Sequence, residues 1–370
     1  MKVLLLSDLS SSHTIKWANT LSASGIEIFL YGFNKFDRTQ FSDGVQIFSL
    51  NTPEFISSKL NGNFLKIYYI KALPKLFEIL RRIKPDILHS HYVASYGLIG
   101  ALSHFHPIIT SVWGIDILKF PNYSFLHKSL VKFALNKSDY IFATSEYLKA
   151  RAQTYSNKVI SLTPFGVNTN IFKPDFTYQD DDEIVIGTIK NLENKYGIDF
   201  LIKVFAELKF RMPTSKLKLL IVGGGSLRYQ LEQLAEKLNI RNYVEFAGHI
   251  PHNQIPTYHN KIDIACYFSN VESFGVSVLE SSACEKPVVV SDVGGLTEVV
   301  QNNRTGFVVK SHDIKVSVDS IQKLILDRQL RRSFGQEGRK MVKRLFEEKD
   351  CVNRMINFYN SILRDNKNVD

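Results

Sequence analysis

The chain has 370 residues, more than one ordinary core organises, so two or three domains are expected. Its composition, 44% hydrophobic, 22% charged and 12% aromatic, is that of a globular protein. The formal net charge is +10 and unevenly spread: residues 1–164 carry 18 Lys+Arg against 10 Asp+Glu, and the remainder 28 against 26. A basic first half points to an anionic partner, whether nucleic acid, a membrane surface or a phosphorylated substrate.

In chain order, MKVLLLSD has one Lys and a short apolar run ended by Asp8, so it reads as a buried strand rather than a secretory signal. HTIKWANTLSASG reads as a helix ending at Gly25, and IEIFLYGF as the next strand. PDILHSHY, PIITSVWG and DYIFATSE are short apolar runs with polar ends, typical of buried parallel strands. Residues 87–115 contain no Asp, Glu, Lys or Arg and are long enough to span a bilayer, but four histidines, several serines and Pro107 interrupt them. They are read as strand, helix, strand, and no transmembrane helix is expected. The second half repeats the alternation: EIVIGTI, a helix near 197–210, KLKLLIVGGG, a helix from about 226 to 238, then YVEFAGH, DIACYFS, PVVVSD and GFVVK. Between the halves, PFGVNTNIFKPDFTYQDDDE (164–183), with two prolines and an acidic run, reads as a linker. The expected fold class is α/β: two doubly wound, Rossmann-like domains, 1–165 and 166–345, with a helical segment 346–370 packing back on the first. Ligands of such domains sit beyond the carboxyl ends of the strands.

The cysteines, Cys266, Cys284 and Cys351, are odd in number and lack metal-type spacing. Two lie in apolar runs, so buried free thiols and a reducing compartment are expected. The pairs His89/His91 and His104/His106 share a strand face by spacing, but no cysteine or acidic cluster completes a ligand set. Structural histidines and no metal are expected. LLIVGGGSLR has a strand, glycines and a helix, yet the dinucleotide fingerprint fails where its last glycine would be, at Arg228. What remains is a glycine-rich turn, equally open to a structural and a ligand-contact reading.

VESFGVSVLESSACEK is richer. A helix beginning near Val276 offers unpaired N–H groups and partial positive charge at its mouth, which suits a phosphate. Gly275 lets that backbone approach a ligand closely. Glu272 in the preceding loop and Glu280 inside the helix are acceptors suited to sugar hydroxyls. Phosphate flanked by hydroxyls describes a nucleoside diphosphate sugar. Lys190 and Lys195 follow a strand that ends nearby and could neutralise the diphosphate. Gly294 and Gly295 mark another close backbone approach.

The pattern E-S-F-G-x-x-x-L-E, followed by P-V-V-x-S-D-V-G-G-L-x-E-V-V and T-G-F-V-V, resembles the retaining glycosyltransferases of family 4, which have the two-domain GT-B fold and an E-x7-E motif. PFGVNTNIFKP, LLIVGGGSLR and PDILHSHY extend the resemblance over most of the chain. The resemblance implies that Glu280 binds the ribose and Glu272 the donor sugar. Backbone at Phe274, Gly275 and Val276 would hold sugar and diphosphate, Gly224 and Ser226 would complete the donor site, and Lys195 would be the phosphate lysine. The family usually has an arginine in G-R-L where this chain reads Gly187-Thr188-Ile189, so Lys190 is the candidate for that charge, without the bidentate fork. Glu272, Lys195 and Lys190 form the expected catalytic set. On the acceptor side, many members carry T-x-H-G-x-D. Here the string is Ser111-Val112-Trp113-Gly114-Ile115-Asp116, so Trp113, Asp116, His91 and His13 are the candidates.

The function expected from this resemblance is retaining, metal-independent transfer of a sugar to a glycan or lipid-linked glycan in cell-surface polysaccharide biosynthesis. No cofactor is expected beyond the nucleotide sugar as co-substrate, with a UDP-sugar ahead of a GDP-sugar. A sugar-nucleotide epimerase and a non-catalytic sugar-nucleotide-binding protein are the alternatives. FLKIYYIKALPKLFEILRRIK (64–84), with six basic residues and one acid, reads either as a pair of amphipathic helices on the domain surface or as a contact with an anionic membrane or a lipid-diphosphate acceptor, and the charge asymmetry favours the second. Nucleic acid is not expected as a partner, because no binding motif accompanies the charge. The expected location is cytoplasmic, peripheral at the inner face of the membrane.

Overall fold

Buried strands with helices between them force parallel sheets, and two such sheets are present. The computed structural model describes residues 1–52, 70–175, 177 and 183–367; the portion 64–69 of the basic segment lies outside these. The chain divides into two units, Met1–Phe165 with Cys351–Asp370, and Gly166–Asp350.

The first unit holds strands β1 (Lys2–Leu6), β2 (Glu27–Asn34), β3 (Val45–Thr52), β4 (Ile87–His91), β5 (Ile108–Val112), β6 (Tyr140–Ala143) and β7 (Ile160–Leu162). They form one parallel sheet in the order β3-β2-β1-β4-β5-β6-β7. The four residues Val3–Leu6 are almost wholly buried, because helices cover both faces of the sheet. Between β1 and β4 the strand order reverses, and the loops after those two strands diverge there. The helix Leu73–Ile83 buries Leu76, Ile79 and Ile83, and its charged residues face out. It is the α-helix of the described part of 64–84; the rest of the expected pair falls on 64–69, outside the described residues. The C-terminal helix Glu348–Lys367 returns its later residues to this unit: the Tyr359 hydroxyl lies 2.7 Å from His89 Nδ1, and Phe358 packs on Phe142.

The second unit holds β8 (Ile184–Ile189), β9 (Leu217–Val222), β10 (Val244–Gly248), β11 (Ile264–Tyr267), β12 (Val288–Ser291) and β13 (Gly306–Val309), in the parallel order β10-β9-β8-β11-β12-β13. The reversal here is between β8 and β11. The loops that follow these strands are 190–197 and 268–275, the two stretches that carry Lys190, Lys195 and Glu272. The early part of the 164–183 stretch is tied to this unit. Val167 bridges Glu347, the Thr169 hydroxyl donates to Glu347 at 2.6 Å, and Arg339 donates to the carbonyls of Thr169 and Phe172.

Close backbone approach fixes the helix that bears Glu280. Val276–Ala283 packs against Arg328–Leu345, which is capped by Asp327. A Cβ on Gly335 would stand 1.9 Å from the Glu285 carbonyl oxygen, whereas one on Gly338 would meet the Ser282 side chain at 3.2 Å. Alanine gains about 1 kcal/mol of helix propensity over glycine, and overpacking costs about 1–3 kcal/mol. At Gly335 the neighbour is backbone that cannot rotate away, so the clash wins. Gly335→Ala is therefore expected to lower the melting temperature by several degrees, and Gly338→Ala to leave it within a degree or two; equal effects at both sites would contradict this packing.

Candidate active site

In the second unit the helix Val276–Ala283 begins at Gly275, whose φ of +110° is left-handed and favours glycine. The loop before it is pinned from the other side. A Cβ on Gly295 would lie 2.5 Å from the Ser273 carbonyl oxygen, and Gly295 N–H donates to the Glu272 carbonyl at 3.2 Å. The close approach expected at Gly294–Gly295 is thus to the chain's own Glu272–Phe274 segment. Phe274 is buried and packs edge-on against Phe346.

The sequence placed Lys190 as a phosphate cation, but the structure gives it a protein partner. Its Nζ lies 2.6 Å from Glu272 Oε2, with both side chains only about a tenth exposed. The ammonium also stands 4.8 Å from the Tyr196 ring centroid and 5.9 Å from that of Tyr267. Burial alone would pull the Lys190 pKa down. The Glu272 carboxylate, with smaller help from Tyr196 and Glu280, more than offsets it, and the pKa is raised. Lys190 therefore stays charged, and it holds Glu272 in place from 82 residues away in sequence. Lys195, one turn on, is partly exposed on the short 3₁₀ turn Asn194–Tyr196. Its ammonium lies 4.7 Å from the centroid of the Tyr196 ring. Among the described residues no carboxylate lies within ion-pair distance of it.

Glu280 is 7% exposed, and its Oε2 lies 3.5 Å from His259 Nε2. His259, on the helix Ile255–Asn260, is wholly buried, and Ser281 Oγ holds its Nδ1 at 2.9 Å. Tyr267 OH donates to the Ser277 carbonyl at 3.0 Å and meets Ser281 Oγ at 2.8 Å, so the same helix is stapled to β11. His259, Tyr196 and Tyr267 were absent from the sequence reading. Only the strand-end position of Tyr267 and the adjacency of Tyr196 to Lys195 could have flagged them.

The glycine-rich turn has a structural explanation. Cβ atoms on Gly223 and Gly225 would fall 2.0 Å from the Lys190 carbonyl oxygen and 2.5 Å from that of Leu192, so these glycines seat one loop on the other. Gly224 faces only His249 Cβ at 3.4 Å and retains room on that side. Ser226 N and Oγ are 3.3–3.4 Å from the Glu193 carboxylate.

In the first unit the acceptor-side candidates gather at the β1/β4 reversal. His91 Nδ1 is 2.9 Å from Ser7 Oγ, which is 2.7 Å from Thr14 Oγ1. Trp113 stacks on His91 at 4.0 Å, and His13 stacks on Phe165 at 4.3 Å with its edge toward Trp113. Asp116 is buried and accepts from Val93 N–H and Gly114 N–H, both at 2.8 Å, so it organises the loops after β4 and β5 rather than facing a substrate. His89 is held by Tyr359 through Nδ1 and by Ser111 through Nε2, both at 2.7 Å, which leaves no ring nitrogen for a metal. Of the other pair, His106 lies beside Asp139 at 2.8 Å. Among the described residues no group of three or more His, Cys, Asp or Glu is placed to hold a metal ion. Cys266, Cys284 and Cys351 are buried thiols.

Family models match almost the whole chain, glycosyl transferases group 1 over residues 172–341 and glycosyl transferase 4-like over residues 2–145. The chain is 27% identical over 316 residues to the N-acetyl-alpha-D-glucosaminyl L-malate synthase of Bacillus anthracis, covering 81% of each. It is 26% identical over 321 residues to the capsular polysaccharide biosynthesis glycosyltransferase CapM of Staphylococcus aureus, covering 80% of this chain and 82% of CapM. Its fold superposes on sucrose-phosphate synthase from Thermosynechococcus elongatus with a TM-score of 0.86 at 20% identity, covering 99% of this chain and 100% of the other.

Two outcomes follow. Lys190→Met and Glu272→Gln each leave one buried charge unpaired and are expected to cost about 3–5 kcal/mol. The double variant should lose less than either alone, and additive losses in denaturant melts would refute the coupling. In the first unit, burial pushes the His89 pKa down to about 3, and burial with the neighbouring His89 holds His91 well below its usual value. Unfolded imidazoles protonate near 6.5, so the unfolded chain binds more protons below that pH. Stability is then fully present above about pH 6.5 and lost as pH falls toward the folded values, by about 1.4 kcal/mol per pH unit per imidazole. The melting temperature should fall from pH 7 to pH 5, less steeply in His89→Gln; a flat profile in the wild type would overturn the neutral assignment.

Proposed function

The chain belongs to the group 1 glycosyltransferases of family-4 type and is a nucleotide-sugar glycosyltransferase; from that premise we propose that it transfers the sugar with retention and without a metal ion. The observation that carries this reading is the buried Lys190–Glu272 pair at the mouth of the helix that bears Glu280. A glutamate locked against an ammonium is a poor nucleophile and a well-oriented hydrogen-bond acceptor. Glu272 is therefore assigned to the donor sugar's hydroxyls and Glu280 to the ribose, with His259 behind it. Lys190 is a positioning residue. The diphosphate falls to the N–H groups at Gly275–Ser277 and to Lys195, whose ammonium can move to it without breaking an ion pair.

In the reaction, the bond from the anomeric carbon to the diphosphate oxygen breaks, and the bond to the acceptor oxygen forms on the same face. The acceptor's proton passes to an oxygen of the departing diphosphate. Charge builds on that diphosphate in the transition state, where the helix start and Lys195 stabilise it. On this proposal the charge-neutralising role falls to the protein rather than to a divalent ion. The proposed donor is a UDP-sugar ahead of a GDP-sugar. The proposed acceptor is a glycan or lipid-linked glycan of a cell-surface polysaccharide, met at the cytoplasmic face of an anionic membrane.

The test is transfer from UDP- and GDP-sugars to a lipid-diphosphate glycan in the presence of EDTA, with the anomeric coupling of the product read by NMR. The expected product keeps the donor's anomeric configuration, turnover is unchanged by the chelator, and Lys195→Ala loses about 100-fold or more in kcat. An inverted product, or turnover abolished by EDTA and restored by Mg²⁺, would refute the mechanism.

A further inference from the structure

We propose that the Tyr123–Leu126 tip of the first unit, with the lysines around it, is the surface by which the protein lies on an anionic bilayer. Phe125 is 85% exposed, Tyr123 53% and Leu126 46%, on a turn that leads into the helix Phe125–Lys137. Farther along that helix Phe133 is also exposed. From Ile117 to Ser138 the chain contains no Asp or Glu but has four lysines, Lys119, Lys128, Lys132 and Lys137, all exposed. The acids at either end are engaged: Asp116 by two backbone N–H groups, and Asp139 by His106 and the Ile108 N–H. Apolar and aromatic side chains on an acid-free stretch that carries lysines match the boundary between anionic headgroups and acyl chains.

The tip is built rigidly. Ser124 caps the helix and also meets His127 Nδ1 at 2.7 Å. The buried Phe120 packs on His127 at 4.7 Å, and Tyr123 lies edge-on to both rings. Phe125 is thus held outward by a formed structure, so little ordering entropy opposes its insertion. Two other strongly exposed apolar residues lack this setting: Phe210 stands beside Glu207 and its partner Arg211, and Leu326 beside Asp327. The basic segment singled out in the sequence is also a weaker candidate. In its described part Lys75 is paired with Glu78 at 2.8 Å, and Arg82 covers the Phe48 ring. A second copy of the chain is a poor occupant, since the acid-free stretch Ile117–Ser138 would set lysine against lysine across a two-fold contact.

This surface rests on the reading of a membrane-presented acceptor. The tip follows Trp113 and Asp116 in the chain through Ile115–Leu118, which packs on the Phe120–Asn122 turn, so a headgroup bound at the tip would lie a few residues from the acceptor-side loops. The experiment is co-sedimentation of the full chain with vesicles of phosphatidylcholine alone and with added phosphatidylglycerol, at low and high salt, together with sedimentation velocity. Wild type is expected to bind the anionic vesicles, less so at high salt. Phe125→Ser/Leu126→Ser and Lys128→Glu/Lys132→Glu should each weaken binding by roughly tenfold or more, and Arg81→Glu/Arg82→Glu should bind as wild type does. All substituted residues are exposed, so unchanged melting temperatures confirm the fold. Loss confined to the Arg81/Arg82 variant would overturn the tip while leaving the membrane reading intact. Failure of the wild type to bind would overturn both. A dimer that the tip variants convert to monomer would assign the patch to a second copy instead.

Discussion

An ammonium and a carboxylate nearly removed from water are costly apart and tolerable only together. The Lys190–Glu272 pair imposes that condition on two loops from different strands of the second unit, and the surrounding geometry satisfies it. The parallel order brings β8 beside β11. Gly223 and Gly225 let the loop after β9 press on the carbonyls of Lys190 and Leu192, and Gly295 lets the loop after β12 press on Ser273 and Phe274. Each glycine is where a side chain would force the pair apart. The helix that starts at Gly275 then inherits a fixed origin, and Glu280, just over one turn into it, is fixed by the same contacts. Donor recognition on this reading is preorganised by ordinary packing.

Most strands were legible because both faces of each sheet are covered, whereas the less buried edge strands β3 and β7 were not read. A strand buried on two sides shows an unbroken apolar run, and every such run from VLLL to GFVV is a strand of a parallel sheet. The helix from Val276 was legible through Gly275 and the spacing of the two glutamates. Lys190 was seen as a charge, but its partner was not. A contact between residues 82 positions apart has no local signature, and a lysine after a strand reads the same whether it faces a phosphate or a glutamate. His259 was hidden for the same reason: its meaning lies in Glu280 and Ser281, one crossover away. The glycine triplet was ambiguous in sequence because close approach of a ligand and close approach of another loop demand the same residue.

The first unit poses a different electrostatic problem. The polar residues at its strand ends form a network of neutral groups: Thr14 to Ser7 to His91, Ser111 to His89 to Tyr359. Burial holds both imidazoles uncharged, so each can share protons with a hydroxyl but carries no fixed charge. On the proposed reading, a site that must hold a diphosphate uses charge and helix dipole, whereas one for an uncharged hydroxyl is served by neutral, orientable groups. Trp113, where the resembled T-x-H-G-x-D pattern has histidine, fits this division. It covers His91 with a flat apolar face and adds no titrating group.

The basic excess of the first half was plain in the sequence as a total and misleading as a location. Counting charge drew attention to 64–84, where the density of Lys and Arg is highest. Charge density alone does not define a surface that meets lipid, because acids and rings nearby neutralise or cover it, as Glu78 and Phe48 do. What distinguishes the Tyr123–Leu126 tip is large apolar side chains left outside, and periodicity hides that. In FLHKSLVKFALNK the largest residues would be taken for the inward stripe. The helix instead buries His127, Val131, Ala134 and Leu135. Contact between Phe120 and His127 sets its rotation, and the small Ala134 lets it sit close to its neighbours, so the rotation that seats the His127 side of the helix turns Phe125, Leu126 and Phe133 to solvent. Which stripe faces the core is a tertiary decision, and the functional reading of the outer stripe depends on it.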